Sequence, residues 1–140
     1  MTYDQVKNVK QSWRILQKIK PSVIAGTFYS KLFADMPALR KMFPPNMDAQ
    51  YAKLMDMLSI IVARLDNIES LAEEINVMAR RHIQYGVKPA HYKVVGKALL
   101  WTLEKGLGED WRLEVKEAWT ICYNSLAEIM IAASAEERVK

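Results

Sequence analysis

A histidine at position 82 ends an apolar helical stripe, and imidazole is one of the few side chains that binds metals or moves protons at neutral pH. The stripe consists of Leu71, Ile75 and Met78, and residue 82 follows on the same face at the same spacing of three to four residues. An unpaired buried polar group costs about 1–3 kcal/mol. The sequence therefore indicates that both ring nitrogens of His82 have partners.

Two interpretations of His82 are open at this point. A lone histidine at the edge of a core usually bonds a backbone carbonyl. The alternative is a metal ligand, but a tetrahedral zinc site is excluded because Cys122 is the lone cysteine and no His or Cys pair stands at metal spacing. A single imidazole suits haem iron, since the porphyrin supplies four nitrogens. Such a flat apolar group needs a wide cleft between helices.

Two other polar side chains point inward on predicted helices. Tyr29 lies on the apolar face of the helix that contains residues 25–33, and Gln50 lies one turn before Leu54 at the start of another apolar face. Each of them is compatible with a boundary position whose polar tip reaches water. Together with His82, however, they make three inward polar groups on three helices, and this arrangement favours a lined pocket.

Apolar periodicity and helix-breaking residues predict about seven helices, and no stretch shows a two-residue period between hairpin turns, so the fold class is all-α. The predicted segments are, in chain order, residues 4–18, a helix from Pro21, a short piece from Pro37, a long helix N-capped by Asp48, a helix opened by a capping box of Ser70 and Glu73 and ended by Gly86, a helix from Pro89 that Gly106 and Gly108 end, and a last helix through Val115, Trp119 and Leu126.

Composition bounds the classes of function. A chain of 140 residues with 51% apolar side chains is expected to form one domain, residues 1–140, with one pocket. No apolar run approaches the ~20 residues of a membrane helix, and the first residues lack a secretory signal, so we expect a cytoplasmic protein without a membrane partner. Lysines and arginines are scattered among 16 acidic residues, which argues against a nucleic-acid partner despite the net charge of +4.

Three further residues are expected to have structural roles. Cys122 is flanked by helical residues and is expected to be a small core side chain. His91 follows a predicted helix start and is expected to be solvated. Gly96 shares a face with core residues, so we expect two helices to cross closely there.

Several stretches, in order over nearly the whole chain, resemble a bacterial single-domain globin, and most of all the globin module of flavohaemoglobins. They are "FYSKLF" (28–33), Pro37 with the "MF" that ends at residue 43, "QYAKLM" (50–55), "RRHIQYGVKPAHY" (80–92), "VVGKALLWTL" (94–103) and "AWTICY" (118–123). The resemblance implies a globin fold in which about seven helices sandwich one haem.

The resemblance also implies a role for each matching side chain. His82 matches the proximal histidine that binds the iron of haem b, and Tyr29 and Gln50 match the distal tyrosine and glutamine that hydrogen-bond a gas ligand. Tyr92 matches a tyrosine beside the proximal histidine. The other implied haem contacts are Phe43, which stacks on the porphyrin, Leu54 as the distal wall, Lys53 and Arg81 as partners of the propionates, and Met78, Val87 and Val95 as lining residues.

One departure from the flavohaemoglobin pattern concerns a glutamate expected beside the proximal histidine. Its aligned place is Ser134, and Glu136 and Glu137 follow two and three residues later. Without a carboxylate partner the imidazole is less electron-rich, so peroxidase-like activation of oxygen is not expected.

Three hypotheses of function follow. The first is a globin that binds dioxygen tightly, or another diatomic gas such as nitric oxide, for transport, storage or scavenging. The second is a nitric oxide dioxygenase, which would need an external reductase because no flavin or nicotinamide domain follows in this sequence. The third is a haem-free helical interaction module. The Tyr29 and Gln50 pair suits the first two hypotheses equally, because both require tight dioxygen binding.

Overall fold

A computed structural model of the protein describes residues 1–139, including the side chains of residues 1–135. Its α-helices are α1 (Tyr3–Leu16), α2 (Pro21–Asp35), α3 (Asp48–Ala63), α4 (Ala72–Gln84), α5 (His91–Leu107) and α6 (Leu113–Val139). Short 3₁₀ segments occur at Pro37–Met42, Leu65–Leu71 and Gly108–Asp110. No strand occurs within residues 1–139, and the all-α prediction is confirmed.

Side chains and glycines account for several helix ends. Thr2 opens α1 with a capping box, in which its hydroxyl accepts the Gln5 N–H at 3.1 Å and its own N–H donates to the Gln5 side chain at 2.9 Å. Gly86 and Gly108 follow α4 and α5 with φ angles of 86° and 54°, which other residues rarely adopt. The predicted stop at Gly86 is therefore confirmed, whereas Gly106 lies inside α5.

Two predicted helix starts are wrong by one or two residues. Asp48 is the first residue of α3 and not its cap, because the cap position is Met47 and the Asp48 N–H donates to the side chain of Asn46 at 2.9 Å. α5 begins at His91, and Pro89 precedes it within a turn. In both cases the signal residue lies at the junction, but a neighbouring residue occupies the cap position.

The capping box predicted for Ser70 and Glu73 is also wrong. α4 begins at Ala72, after a 3₁₀ segment in which Asn67 leaves the helical region with φ −142° and ψ 65°. The Ser70 hydroxyl donates to the carbonyl of Asn67 at 2.8 Å and so provides that carbonyl of the kinked segment with a hydrogen bond. α4 consequently begins without a side-chain cap.

The core is organised around α6, which packs against α1, α4 and α5, while α2 packs against α3 and α5. Trp119 of α6 is 2% exposed, and its indole N–H donates to the Ser12 hydroxyl of α1 at 2.8 Å. Its ring lies 6.2 Å from that of Trp13. This contact joins the N-terminal helix to the helix that forms one wall of the site described below.

The two ends of α5 meet different helices. A Cβ atom on Gly96 would lie 2.6 Å from the ring of Tyr123 in α6, so the prediction of a close crossing at Gly96 is confirmed. Near the other end, a Cβ atom on Gly106 would lie 2.6 Å from the side chain of Leu16 in α1. The start of α5 therefore borders α6, and its end borders α1.

Two of the buried side chains bear on the earlier expectations. Cys122 lies in the core as predicted, and burial raises the pKa of its thiol to about 12. The prediction of a solvated His91 is wrong, because this residue is buried and its Nδ1 accepts the Lys88 N–H at 3.0 Å.

No helix within residues 1–139 is long and apolar enough to span a bilayer.

Candidate functional site

A cavity of about 370 Å³ lies among α2, α3, α4, α5 and α6. Its volume falls in the range of roughly 300–1,000 Å³ that is usual for small-molecule sites. Most of its wall is apolar, and the apolar lining includes Phe28, Leu32, Phe43, Leu54, Leu58, Met78, Val87, Val95, Leu99 and Leu126. The polar or ionisable residues on the wall include Tyr29, Gln50, Lys53, His82, Tyr85, His91, Tyr92 and Tyr123.

One side of the cavity presents a hydroxyl that is oriented by an amide. The Gln50 side-chain N–H of α3 donates to the Tyr29 hydroxyl oxygen of α2 at 2.9 Å. Because that oxygen accepts from Gln50, the hydroxyl proton of Tyr29 is available to a group in the cavity. Burial raises the pKa of Tyr29, and the hydrogen bond from Gln50 opposes this rise only in part. Tyr29 is therefore a protonated donor at neutral pH.

An aromatic cluster fixes the ring of Tyr29. The Tyr29 ring stacks on Tyr51 with centroids 5.7 Å apart and planes 17° apart, and it meets Phe43 edge-on at 5.5 Å. Phe33 lies 5.8 Å from Tyr29 and 5.4 Å from Phe43. Since aromatic rings have few rotatable bonds and pack at fixed distances, the cluster leaves the hydroxyl one position relative to the cavity.

Arg40 holds the corner between α2 and α3. Its guanidinium donates to the carbonyls of Phe43 at 3.1 Å, Pro44 at 2.9 Å and Pro45 at 3.1 Å, and it lies 5.5 Å from the ring centre of Phe33. The two prolines lack a backbone N–H, so a regular turn cannot satisfy this corner. Arg40 supplies the missing donors and thereby positions the Phe43 ring on the cavity wall.

The opposite side of the cavity presents an imidazole that is oriented by its own helix. The Nδ1 of His82 lies 2.7 Å from the carbonyl oxygen of Met78, one turn earlier in α4. A carbonyl only accepts, so Nδ1 carries the proton and Nε2 carries the lone pair. Burial lowers the pKa of His82 more than this hydrogen bond raises it, which favours the neutral ring. A neutral imidazole with a free lone pair is a metal ligand.

Tyr92 of α5 adjoins this imidazole. The His82 and Tyr92 rings lie 6.5 Å apart with planes 22° apart. The Tyr123 hydroxyl of α6 donates to the backbone carbonyl of Tyr92 at 2.6 Å, and the Tyr123 ring lies against Gly96. The close helix crossing thus brings three helices, α4, α5 and α6, together beside His82.

The structure brings most of the predicted site residues to this one cavity. Tyr29, Phe43, Gln50, Lys53, Leu54, Met78, His82, Val87, Tyr92 and Val95 line it. Arg81 does not belong to the lining and is exposed, and its pairing with a propionate stays a prediction. Ser134 is buried in α6. Glu136 and Glu137 lie outside the residues whose side chains the structure describes.

Two contributors were missed in the sequence. Arg40 stands three residues before a Phe-Pro-Pro stretch, and a basic residue near carbonyls that prolines leave without a donor is a signal that local inspection can find. Tyr51 had no such signal, because its stacking on Tyr29 joins two helices that are distant in sequence.

The Globin family model matches residues 26–130. The chain belongs to the Globin family. It is 31% identical over 133 residues to a globin-like protein of Aquifex aeolicus, covering 94% of this chain and 93% of that protein. It is also 27% identical over 136 residues to a flavohemoprotein of Vibrio cholerae, covering 94% of this chain and 34% of that relative. The chain spans about a third of the length of such flavohemoproteins.

Solved globin structures share the whole fold. A bacterial globin from Campylobacter jejuni has a TM-score of 0.87 at 25% identity, covering 99% of this chain and 100% of its own. An engineered carbene transferase, made from a candidate nitric oxide dioxygenase of Rhodothermus marinus, has a TM-score of 0.89 at 27% identity, covering 99% of this chain and 96% of its own. The predicted globin fold is therefore confirmed.

Family membership implies a haem, and the donor set of the cavity fits one. Among the described residues no three His, Cys, Asp or Glu side chains gather to hold a bare metal ion. An iron bound at His82 would therefore need ligands from elsewhere, and a porphyrin brings four. The apolar walls suit its macrocycle, and the exposed ammonium of Lys53 at the cavity suits a propionate.

Proposed function

We propose that this globin holds haem b through His82 and binds dioxygen tightly, with nitric oxide as a further ligand. The observation that carries the proposal is the Gln50 to Tyr29 hydrogen bond within the same cavity as the Met78-oriented imidazole of His82. The imidazole is arranged to bind a metal, and the Tyr29 hydroxyl is arranged to donate a hydrogen bond to a small polar ligand. The packing of a helical core requires neither of these groups.

Each group in the cavity has a definable task. Haem, when bound, supplies an iron that takes up diatomic gases and can change its oxidation state. His82 offers its Nε2 lone pair, since Nδ1–H is engaged by Met78. Tyr29 holds its proton and offers it to an electron-rich atom in the cavity, while Gln50 fixes the hydroxyl. A hydrogen bond to a charged acceptor is worth about 1.5–3 kcal/mol, which slows ligand release.

The remaining wall residues exclude water and retain the cofactor. Leu54, Met78, Val87 and Val95 are half-buried side chains around the cavity, and covering their apolar area stabilises a bound macrocycle. Phe43 offers a ring face for stacking on the porphyrin, and Lys53 provides one cation for its carboxylates. A dry wall also strengthens the hydrogen bond that Tyr29 donates.

We propose that the protein binds dioxygen in the cytoplasm.

A second candidate function is nitric oxide dioxygenase activity with an external reductase. The observation that favours it is the Tyr92 ring, which lies 6.5 Å from that of His82, since the resemblance to flavohaemoglobins implies a tyrosine beside the proximal histidine. The likeness to a structure derived from a candidate nitric oxide dioxygenase supports it as well. Nitrate formation from nitric oxide and dioxygen that a reductase sustains, and that Tyr29→Phe loses, would support the dioxygenase. Slow nitrate formation in a single turnover would support the dioxygen-binding globin instead.

Haem content tests the proposal most directly. The chain has two histidines, and both line the cavity, so His82→Ala and His91→Gln form a matched pair. We expect His82→Ala to lose most of its haem after reconstitution with hemin, and His82→Gly to regain a haem spectrum with added imidazole. His91→Gln retains an acceptor for the Lys88 N–H and is expected to keep its haem.

The measurement is the ratio of Soret to protein absorbance, together with the ferrous spectrum in carbon monoxide. Equal haem content in His82→Ala and the parent protein would refute the assignment of His82. A parent protein that binds no hemin at all would leave the haem-free interaction module as the surviving hypothesis.

A further inference from the structure

The excess positive charge of this chain is confined to one segment. Residues 75–103 contain five basic residues and no acidic one, whereas the rest of the chain contains fifteen basic and sixteen acidic residues. The five basic residues are Arg80, Arg81, Lys88, Lys93 and Lys97, and all five are exposed. None of them forms an ion pair with a side chain of residues 1–135. We call these five residues the basic surface.

The basic surface belongs to the segment that forms the His82 side of the cavity. The same segment supplies the cavity residues Met78 and His82 from α4 and Tyr92 and Val95 from α5. Exposed Arg81 adjoins His82 in sequence, and exposed Lys93 adjoins Tyr92, while the two aromatic rings between them lie 6.5 Å apart. Four of the basic residues thus lie on the same two helices as these cavity residues, and a helix with its side chains is about 10 Å across.

We propose that the basic surface is the docking site of a separate, acidic electron-transfer protein that reduces the haem. This inference rests on the haem binding proposed above. An uncompensated charge of one sign steers a partner of the opposite sign and raises its association rate by about 10- to 1,000-fold at low salt. A donor docked there would stand one helix layer from the cofactor.

The arrangement favours a protein partner over nucleic acid or an anionic membrane. The five basic residues are spread along two helices and the turn between them. They therefore create a positive electrostatic potential over a wide area and do not form a row of contacts to successive phosphates. Transient redox complexes are also held by small interfaces, below about 1,200 Å², in which charge steers more than apolar burial holds. A partner bound to this segment would lie near the proposed haem, as electron transfer requires.

The transfer itself needs no bond to form or break. With haem bound at His82, the reduced flavin of the donor would give up one electron and the ferric iron would take it up. The donor is named by class as a reduced flavoprotein with an acidic surface. The contribution of this chain is electrostatic, because its lysines and arginines hold the partner close to the cavity while the electron passes.

Charge reversal at Lys93 and Lys97 is the first test. Both are exposed and one turn apart on α5. The control reverses Lys18 and Lys20, which are exposed near the end of α1, and α1 meets the opposite end of α5 at Gly106. Oxidised flavodoxin, an acidic flavin protein, is the probe. We expect Lys93→Glu with Lys97→Glu to weaken its binding about tenfold, and the control pair less than about twofold.

Reduction kinetics supply the second measurement. Reduced flavodoxin is mixed without oxygen with the haem-loaded protein, and the ferric-to-ferrous change is followed by absorbance. We expect the rate to fall steeply with added salt in the parent protein, and about tenfold in Lys93→Glu with Lys97→Glu at low salt. Lys93→Arg with Lys97→Arg keeps the charge and is expected to keep the rate. Photoreduced lumiflavin, which is small and neutral, should reduce all variants equally.

Equal binding and equal reduction rates in both charge-reversal pairs would overturn the proposal. So would weaker binding of duplex DNA or phosphatidylserine vesicles in Lys93→Glu with Lys97→Glu when flavodoxin binding is unchanged. A protein that takes up no hemin would refute the proposed function instead, and the binding arm with oxidised flavodoxin would still decide whether the basic surface recognises an acidic protein.

Discussion

The two sides of the cavity are built in different ways. On the His82 side, the imidazole is oriented by the carbonyl of Met78, four residues earlier in the same helix. On the Tyr29 side, the hydroxyl is oriented by Gln50, which lies 21 residues later on another helix, and by stacking on Tyr51. The first geometry exists as soon as α4 forms, whereas the second exists only when α2 and α3 are packed together.

This difference separates two properties of the protein. Cofactor retention should depend chiefly on the His82 side and change little when the Tyr29 hydroxyl or the Gln50 amide is removed. Gas kinetics should depend chiefly on the Tyr29 side, where a displacement of either helix alters the donor. Because the two sides use different helices and different partners, substitutions on opposite sides are expected to have additive effects.

Replacement of Tyr29 by Phe should have the largest effect on gas kinetics. Loss of a hydrogen bond worth about 1.5–3 kcal/mol corresponds to dioxygen release that is about 10- to 150-fold faster. Haem content should stay unchanged, because the ring and its cluster remain. Stopped-flow displacement of dioxygen by carbon monoxide measures the rate, and Tyr51→Phe, which keeps the stacked ring, is the control. Equal or slower release in Tyr29→Phe would remove the distinction between the two sides.

Replacement of Gln50 by Ala should have a smaller effect in the same direction, of about threefold to tenfold. Gln50 acts on the gas ligand through Tyr29, because its amide donates to the Tyr29 oxygen. The double variant Tyr29→Phe with Gln50→Ala should therefore release dioxygen no faster than Tyr29→Phe alone. Fully additive effects on the release rate would mean that Gln50 contacts the ligand independently.

Replacement of Arg40 by Leu tests whether the corner between α2 and α3, on the Tyr29 side, also contributes to cofactor retention. Three carbonyls lose their donor, so Phe43 becomes less well positioned and haem loss should be about threefold to tenfold faster. Transfer of haem to an excess of apomyoglobin measures the rate. Arg40→Lys keeps the positive charge but has no planar fork of donors, so its rate of haem loss should lie between those of the parent protein and Arg40→Leu. An unchanged rate of haem loss would confine retention to the His82 side.

Replacement of Tyr123 by Phe should have the smallest functional effect. The Tyr92 carbonyl loses one donor, which lowers the free energy of unfolding by about 1 kcal/mol, while dioxygen release and haem loss change less than about twofold. Urea denaturation measures the change, and Tyr85→Phe, at an exposed position, is the control. A large change in dioxygen release would show that the His82 side governs gas kinetics after all.

Three of the site side chains were identified from helical periodicity, whereas others, such as Phe43 and Val87 outside the α-helices, were identified only through the resemblance to globins. His82, Tyr29 and Gln50 each continue an apolar face, and each lines the cavity. Arg81 adjoins His82, and successive helical residues differ by about 100° around the axis. Arg81 is accordingly exposed beside the cavity-lining His82, and its pairing with a propionate stays a prediction.

The details that periodicity missed depend on contacts between segments or on irregular backbone. The Ser70 and Glu73 pattern has the spacing of a capping box, but the non-helical backbone at Asn67 shifts the start of α4. His91 is buried by a turn in which Lys88 donates to its ring. Arg40 binds three carbonyls that only the folded corner presents. None of these arrangements is encoded in a local hydrophobic period.

Trp119 gives the cavity an optical property. This indole is buried in the core, belongs to the cavity wall, and is tied to α1 through Ser12. An excited indole loses its energy to a nearby chromophore that absorbs at its emission wavelength, and haem is such a chromophore. The intrinsic fluorescence of the protein should therefore dim as the cofactor enters, which makes filling of the cavity visible in real time without any label.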